Sequence, residues 1–239
     1  MIASIVAIAL FQAPPDLAKL GERLAVSIDV RSAPFSDAGK DYKVNGDQAT
    51  DAAMAKYAPL FVTEWSRYTA DVMRKAKVTK IVFCEKLALG QQIRAAVPAY
   101  GLDAMYYDPA LGAYSPSYQK SVIHHEFFHM MDYQMGTSEV DREWVAMNPP
   151  EFHYGSGGAK MRTGGVGNLT KEIPGFITMY GTSAMEEDKA ELYAHLIVDP
   201  KFVLDQAKTD AVLASKIALL KKRLFAFDSL FGQNFWPNS

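Results

Sequence analysis

Residues 117–135 constrain the fold of this 239-residue chain more than any other stretch of its sequence. They include no proline and no glycine, and Gly136 follows them directly. This pattern predicts one continuous helix over residues 117–135. Apolar side chains cover most of its circumference, so we expect the helix to lie in the core. Any ionisable group in such a helix needs a partner, because burying an unpaired polar or charged group is costly.

The same helix contains the segment H-E-x-x-H, formed by His125, Glu126 and His129. Histidines four residues apart leave one face of a helix, about 40° apart around its axis, and can hold one metal ion. Glu126 would border that ion and accept a proton from a bound water, whose pKa Zn²⁺ lowers to about 7. The motif therefore predicts metalloprotease chemistry. The alternative is a chance match in a helix that binds no metal. His124 points about 100° away and is predicted to be a hydrogen-bonded neighbour of the site.

A catalytic zinc site usually has three protein ligands, so the third one identifies the class. In a metzincin, a glycine and a third histidine would stand where this chain has Asp132 and Met135. The other histidines, His153 and His195, also lack that spacing. A carboxylate is therefore favoured as the third ligand.

The acidic segment at residues 180–192 is the best source of that carboxylate. Glu187 and Glu191 are four apart and share a helix face, so one could bind the metal while the other accepts the N–H of a ligand histidine. For Glu186 and Asp188 we expect a solvated first turn, which the helix dipole favours.

An H-E-x-x-H helix followed by Tyr180-Gly-x-x-x-x-x-Glu187-x-x-x-Glu191 resembles the anthrax lethal factor type of gluzincin, a group that includes the Pro-Pro endopeptidases. Residues 144–155 also resemble bacterial zinc-binding metallopeptidases of the same broad group, and the likeness covers roughly residues 100–200. The resemblance implies an α+β zincin-like domain, with a small, mostly antiparallel sheet packed on the active-site helix and a helical C-terminal part. It implies one Zn²⁺ per chain and these roles: His125, His129 and Glu187 as ligands, Glu126 as general base, Tyr180 as hydrogen-bond donor to the tetrahedral intermediate, and Glu191 as a supporting acid.

The interval between His129 and Glu187 is longer than this family leads us to expect. It contains six glycines in residues 155–167, which predict a mobile loop. A flexible flap beside the cleft and an inert surface loop are both compatible with the sequence. A phosphate cradle is disfavoured, because the stretch lacks the Gly-Lys-Ser/Thr ending.

Composition and the ends of the chain bound the remaining possibilities. The net charge is −2, the pI is about 6.2 and no basic patch is visible, so nucleic acid is not an expected partner. With 49% hydrophobic residues and no evident linker, residues 14–239 are predicted to form one catalytic domain. Residues 1–13 begin with an apolar run that resembles a secretory signal and is too short to span a membrane. We therefore expect a secreted or periplasmic protein. The alternative is a buried first helix in a cytoplasmic one.

Periodicity predicts an α+β order of elements: a strand at 24–30, a helix at 51–77 interrupted or kinked near Pro59, strands at 78–83 and 103–107, and a long helix at 204–227 behind the metal helix. Cys84 is expected to be a small core residue. Ala104–Tyr107 is the candidate edge strand that would pair with an extended substrate, and a fully covered strand is the alternative.

Together these patterns predict a zinc-dependent endopeptidase that acts on a peptide or protein substrate and has no membrane span. The competing hypotheses are a non-catalytic peptide-binding protein of the same fold and a zinc hydrolase of a non-peptide amide.

Overall fold

The computed structural model describes residues 15–155 and 169–237. Within them the chain has the predicted α+β architecture, with eight α-helices and two four-stranded sheets. The helices are α1 (Pro15–Leu24), α2 (Asp51–Trp65), α3 (Ala70–Lys75), α4 (Pro116–Met135), α5 (Arg142–Val145), α6 (Met185–Val198), α7 (Pro200–Ala207) and α8 (Ala211–Phe227). The strands are β1 (Ser27–Val30), β2 (Phe35–Ala38), β3 (Lys43–Asp47), β4 (Lys80–Phe83), β5 (Glu85–Leu89), β6 (Gln92–Ile93), β7 (Ala96–Ala99) and β8 (Ala104–Tyr107). The predicted signal at residues 1–13 and nearly all of the glycine-rich loop lie outside the described residues.

The central sheet has the order β1-β4-β8-β7. β1 and β8 both run parallel to β4, and only β7 is antiparallel to its neighbour β8. The expectation of a mostly antiparallel sheet beside α4 is therefore wrong. Strands buried on both faces read as continuous apolar runs, and the sequence of β8 has that form.

The prediction that Ala104–Tyr107 is an edge strand is also wrong. β8 lies between β4 and β7, and all four of its residues are buried. The edge position next to α4 belongs to β7 (Ala96–Ala99), against which α4 packs. Only the partners on each side decide which strand is at an edge, and the local sequence does not state them.

The second sheet, β2-β3-β5-β6, is antiparallel throughout. Only Cys84 separates β4 of the central sheet from β5 of this one. Cys84 is fully buried, as predicted, in an apolar cluster between the sheets. It packs so closely on Gly46 that a Cβ added there would lie 2.8 Å from the Cys84 sulfur.

Two predicted long helices are each divided in two. The first continues through Pro59 and ends at Trp65, and Thr69 caps α3 by accepting a hydrogen bond from Val72 N. The second is divided into α7 and α8, where Asp210 caps α8 by accepting from Leu213 N at 2.9 Å. In both cases a capping side chain outweighs an apolar periodicity that runs across the break.

The predicted helix at 117–135 is confirmed as α4. Ser115 caps its start by accepting from Tyr118 N, and Gly136 ends it with a φ of 73°. α4 packs along α6, and α8 packs on the α6 side of this pair. None of the helices in the described ranges combines the length and the apolar character needed to cross a membrane.

Candidate metal centre

Three side chains from α4 and α6 converge on one point. His125 Nε2 lies 3.0 Å and His129 Nε2 lies 3.4 Å from the same oxygen, Glu187 Oε2. The two histidine Nε2 atoms are 3.1 Å apart. The structure therefore brings together the two histidines of the motif and one of the two glutamates that the sequence offered as a third ligand.

The dimensions of this triangle fit a tetrahedral zinc site. Zinc binds imidazole nitrogen and carboxylate oxygen at about 2.0–2.2 Å, which places neighbouring ligand atoms about 3.3–3.5 Å apart. The observed separations of 3.0, 3.1 and 3.4 Å are close to that edge length. Two imidazoles and one carboxylate are also a donor set that zinc takes in catalytic sites. Because the Glu187 side chain keeps 15% of its surface exposed, solvent can reach the group.

Glu191 contacts the candidate ligand His125 on the side away from the triangle. Its Oε1 lies 2.8 Å from His125 Nδ1, on the opposite side of the imidazole from Glu187. A carboxylate there favours a proton on Nδ1, so a metal ion bound at the triangle would take the place of the proton on Nε2. Glu187 and Glu191 thus take different positions about the same histidine.

The electrostatics of the cluster suit a cation. Burial alone would raise the pKa of Glu187, but hydrogen bonds from His125 and His129 outweigh it and hold that pKa well below its ordinary value. Burial likewise raises the pKa of Glu191, and His125 more than offsets this. For His125, burial lowers the pKa, yet the hydrogen bonds to Glu187 and Glu191 raise it well above its ordinary value. Both carboxylates are therefore anionic at neutral pH.

No protein-family model, curated protein or solved structure matches this chain. Its function is therefore inferred from the geometry of the site.

Tyr180 lies against the cluster. Tyr180 lies in a 3-10 turn, Tyr180–Ser183, just before α6, and its hydroxyl donates a hydrogen bond to Glu187 Oε1 at 2.9 Å. Its ring centroid is 6.0 Å from that of His125. Glu126 follows His125 on α4 and is half-buried. Burial raises the pKa of Tyr100, the residue after β7, and the charge of Glu126 raises it further.

A buried ion pair holds α6 against α4 at this position. Lys189 is 1% exposed and places its Nζ 2.7 Å from Asp132 Oδ2 on α4. The same Nζ donates to the carbonyl oxygen of Thr137 at 2.8 Å. Since Lys189 stands two residues after Glu187, this pair fixes the height at which Glu187 meets the histidines. The sequence search missed Lys189, because a lysine at the start of a helix usually lies in solvent.

His124 points away from the ligands into a buried polar chain, as predicted. Its Nδ1 lies 2.6 Å from Tyr68 Oη, and its Nε2 lies 3.0 Å from Glu64 Oε2. Tyr68 Oη is in turn 2.9 Å from Tyr193 Oη on α6. From the sequence, Tyr68 was assigned to the core and Glu64 was not noticed. Glu64 could have been found as the one acidic residue between Phe61 and Trp65 on an apolar helix face.

The prediction that Asp188 is solvated is wrong. It is buried and accepts hydrogen bonds from Trp144 Nε1 at 2.8 Å, Tyr154 Oη at 2.7 Å and Lys216 Nζ at 2.7 Å. Glu186, placed in the same class, is half-buried. Helix-dipole reasoning fails for Asp188 because α6 is covered by α5 and α8 on that side, where a buried cation is the partner.

Proposed function

We propose that this protein is a zinc-dependent endopeptidase with a zincin-like domain of the gluzincin type. The observation that carries the proposal is the convergence of His125 Nε2, His129 Nε2 and Glu187 Oε2 into one triangle with the edges of a tetrahedral site. A zinc ion bound there would supply Lewis acidity to the attacking water and the scissile carbonyl.

The side chains around the ligands have separate tasks in this proposal. The carboxylate of Glu126 accepts the proton of the attacking water and then passes it to the leaving amine. The hydroxyl of Tyr180 exchanges its hydrogen bond to Glu187 for one to the oxyanion that forms at the substrate carbonyl. Glu191 keeps His125 in one tautomer and orientation throughout.

The substrate would bind as an extended strand. β7 is the edge strand of the central sheet and packs beside α4, so a peptide that pairs with β7 would cross the ligand triangle. Ala95 accepts from Asp108 N of the β8 side, so by alternation Val97 and Ala99 also face β8 and Ala96 and Pro98 face outward. Pro98 has no N–H, which leaves Ala96 as the outward main-chain donor of β7.

The test measures zinc content and peptide cleavage on the same protein samples. By mass spectrometry we expect about one zinc per chain in the wild type and in Glu126→Gln, and markedly less in Glu187→Ala, which lacks the third ligand. A peptide library should be cut by the wild type and left intact by Glu126→Gln. Glu22→Gln, an exposed change on α1, serves as the control that alters neither property.

Two outcomes would contradict the proposal. If zinc-loaded wild type cuts no peptide, the remaining hypotheses are a peptide-binding protein and a hydrolase of non-peptide amides. A wild type that takes up no zinc after reconstitution at neutral pH would make the H-E-x-x-H helix a chance match.

A further inference from the structure

Four buried side chains form a hydrogen-bonded chain that runs from α2 through α4 to α6. Glu64 Oε2 lies 3.0 Å from His124 Nε2, and His124 Nδ1 lies 2.6 Å from Tyr68 Oη. Tyr68 Oη lies in turn 2.9 Å from Tyr193 Oη. Each of the four residues is at most 2% exposed, so each polar group depends on its partner in the protein. We call these four residues the His124 chain.

The His124 chain connects both helices that carry candidate metal ligands. His124 directly precedes the candidate ligand His125 on α4, and Tyr193 stands two residues after Glu191 on α6. At its other end Glu64 also contacts α4 one turn earlier, since its Oε1 lies 3.2 Å from Lys120 Nζ. Three helices are therefore joined beside the candidate site.

A second polar contact between α4 and α6 lies nearer the C-terminal end of α4. Asp132 stands eight residues after His124, about 12 Å along the helix axis, and its Oδ2 lies 2.7 Å from Lys189 Nζ on α6. The two histidines of the triangle, His125 and His129, stand between these two contacts. The ligand-bearing part of α4 is thus held by buried polar groups on both sides.

A metal site demands such contacts because much of the surface of α4 packs through apolar rings. Phe127 packs on Tyr68 with ring centroids 4.6 Å apart, and Phe128 packs on Tyr193 at 5.2 Å. Apolar contacts are non-directional, whereas hydrogen bonds have a preferred direction. Side chains end about 5–6 Å from a helix axis, so turning the helix by about 10° moves a ligand atom by about 1 Å. Distances from a metal to its ligands tolerate only about 0.2 Å.

We propose that the His124 chain sets the rotation of α4 about its axis and thereby directs His125 and His129 at Glu187. The side chain of His124 leaves α4 about 100° from that of His125, so hydrogen bonds that fix the first imidazole also fix the direction of the second. The members of the chain are positioning residues, because they act through the ligands. This inference rests on the proposed function, since it concerns the same metal site.

The test measures zinc affinity by competitive titration against a chelator in variants that keep every ring. Tyr68→Phe removes two links of the chain and should weaken zinc binding about ten-fold, the size of effect that groups behind metal ligands have. Tyr193→Phe removes only the last link and should cause a smaller loss. In a variant that is fully folded by circular dichroism, lower stability alone leaves zinc affinity unchanged.

Tyr106→Phe is the matched control. Tyr106 is also 2% exposed, and its hydroxyl donates to Asp37 Oδ2 at 2.8 Å, away from α4 and α6. Its loss should lower stability and leave zinc affinity at the wild-type value. Co²⁺ gives a second readout, because its visible absorption depends on the coordination geometry. The spectrum of Co²⁺-loaded Tyr68→Phe should differ from that of the wild type, and the spectrum of Tyr106→Phe should match it.

A zinc affinity and a Co²⁺ spectrum of Tyr68→Phe equal to those of the wild type would overturn the inference, as would an equal loss of affinity in Tyr106→Phe. If Tyr68→Phe does not fold, the same comparison between Tyr193→Phe and Tyr106→Phe decides. Failure of the proposed function looks different: zinc-loaded wild type cuts no peptide, and the titrations still decide the positioning role. A wild type that binds neither metal overturns both.

Discussion

Tyr180 is the residue whose partner has to change if the proposed chemistry occurs. Its hydroxyl donates to Glu187 Oε1 at 2.9 Å, so the donor that would serve an oxyanion is held by a candidate metal ligand. The hydrogen bond orients the phenol before substrate arrives. In the proposed chemistry the phenol would give up this bond to Glu187 when it donates to the oxyanion.

Tyr180→Phe should therefore lower kcat by about 10²–10³-fold and leave zinc content near that of the wild type, because the variant loses a donor and no ligand. Steady-state kinetics and metal analysis on one sample check both expectations. Tyr114→Phe is the matched control, since that phenol is 89% exposed. An unchanged kcat in Tyr180→Phe would reject the oxyanion role.

Glu191 acts through His125 in our proposal, so replacing Glu191 should weaken the affinity of the site for zinc. Removing a carboxylate that supports a ligand histidine typically weakens metal binding by about 10–100-fold. We expect Glu191→Ala to show a loss of that size in a competitive zinc titration against a chelator. A zinc affinity equal to that of the wild type would show that the 2.8 Å approach to His125 Nδ1 has no supporting effect.

One buried cation, Lys189, contributes to the pairing of α4 with α6. Lys189→Met should destabilise the protein by about 3–5 kcal/mol, because Asp132 would keep its charge in a site without a cation. Denaturant unfolding measures this loss. Lys208→Met removes a pair of the same chemical type with Asp205, but there the lysine side chain is 73% exposed, so little change is expected. Equal losses of stability in the two variants would contradict a stabilising role for the Lys189–Asp132 ion pair between the helices.

The elements that the sequence predicted well are those set by neighbouring residues. α4 was predicted from residues 117–135 and Gly136, which all indicate one helix, and the structure adds the cap at Ser115. The two histidines proposed as ligands, His125 and His129, follow from that helix alone. The wrong predictions share a long-range cause: β8 is covered because β4 and β7 flank it, and Asp188 is buried because Lys216 reaches it from α8. Spacing within one segment has no information about such partners.

The candidate site shows the same contrast between features set by neighbouring residues and features set by distant partners. His125, Glu126 and His129 could be located from the sequence alone, and Glu187 and Glu191 could be named but not told apart without a family resemblance. The structure separates them by distance, since Glu187 meets both Nε2 atoms and Glu191 meets Nδ1 of His125. The rings of Tyr100 and Tyr133 stack with centroids 4.6 Å apart, and the sequence gave no signal of this contact because the two residues stand 33 positions apart (133 − 100 = 33).

For the molecule as a whole, we expect acid to destabilise the fold by protonating Glu64, whose carboxylate joins α2 to α4. Burial raises the pKa of this carboxyl, but the hydrogen bond and charge of His124, with Lys120, lower it from 4.5 to about 2. A pKa that is lower in the folded state contributes stability above the unfolded value, and that stability is lost as pH falls through the folded value. The loss should therefore occur between about pH 4.5 and pH 2, and amount to at most about 3 kcal/mol.

Thermal unfolding of the wild type and Glu64→Gln across this range tests the assignment. The Tm of the wild type should fall more steeply with acid than that of the variant, which has no carboxyl to protonate at this position. Asp71→Asn, a change in an exposed pair on α3, controls for loss of a charge. Parallel pH profiles for wild type and Glu64→Gln would show that acid unfolding starts elsewhere. The secreted or periplasmic location stays a prediction from residues 1–13.

Cys84 is the only thiol in the chain, and it lies fully buried as the one residue between β4 of the central sheet and β5 of the small one. A thiol reagent can reach it only when the two sheets separate, and burial raises its pKa and so suppresses the reactive thiolate further. The rate at which a thiol reagent labels Cys84 in the native protein therefore measures how often that junction opens. A small sheet that opens independently would label Cys84 faster than global unfolding allows, and one that opens only with the core would not.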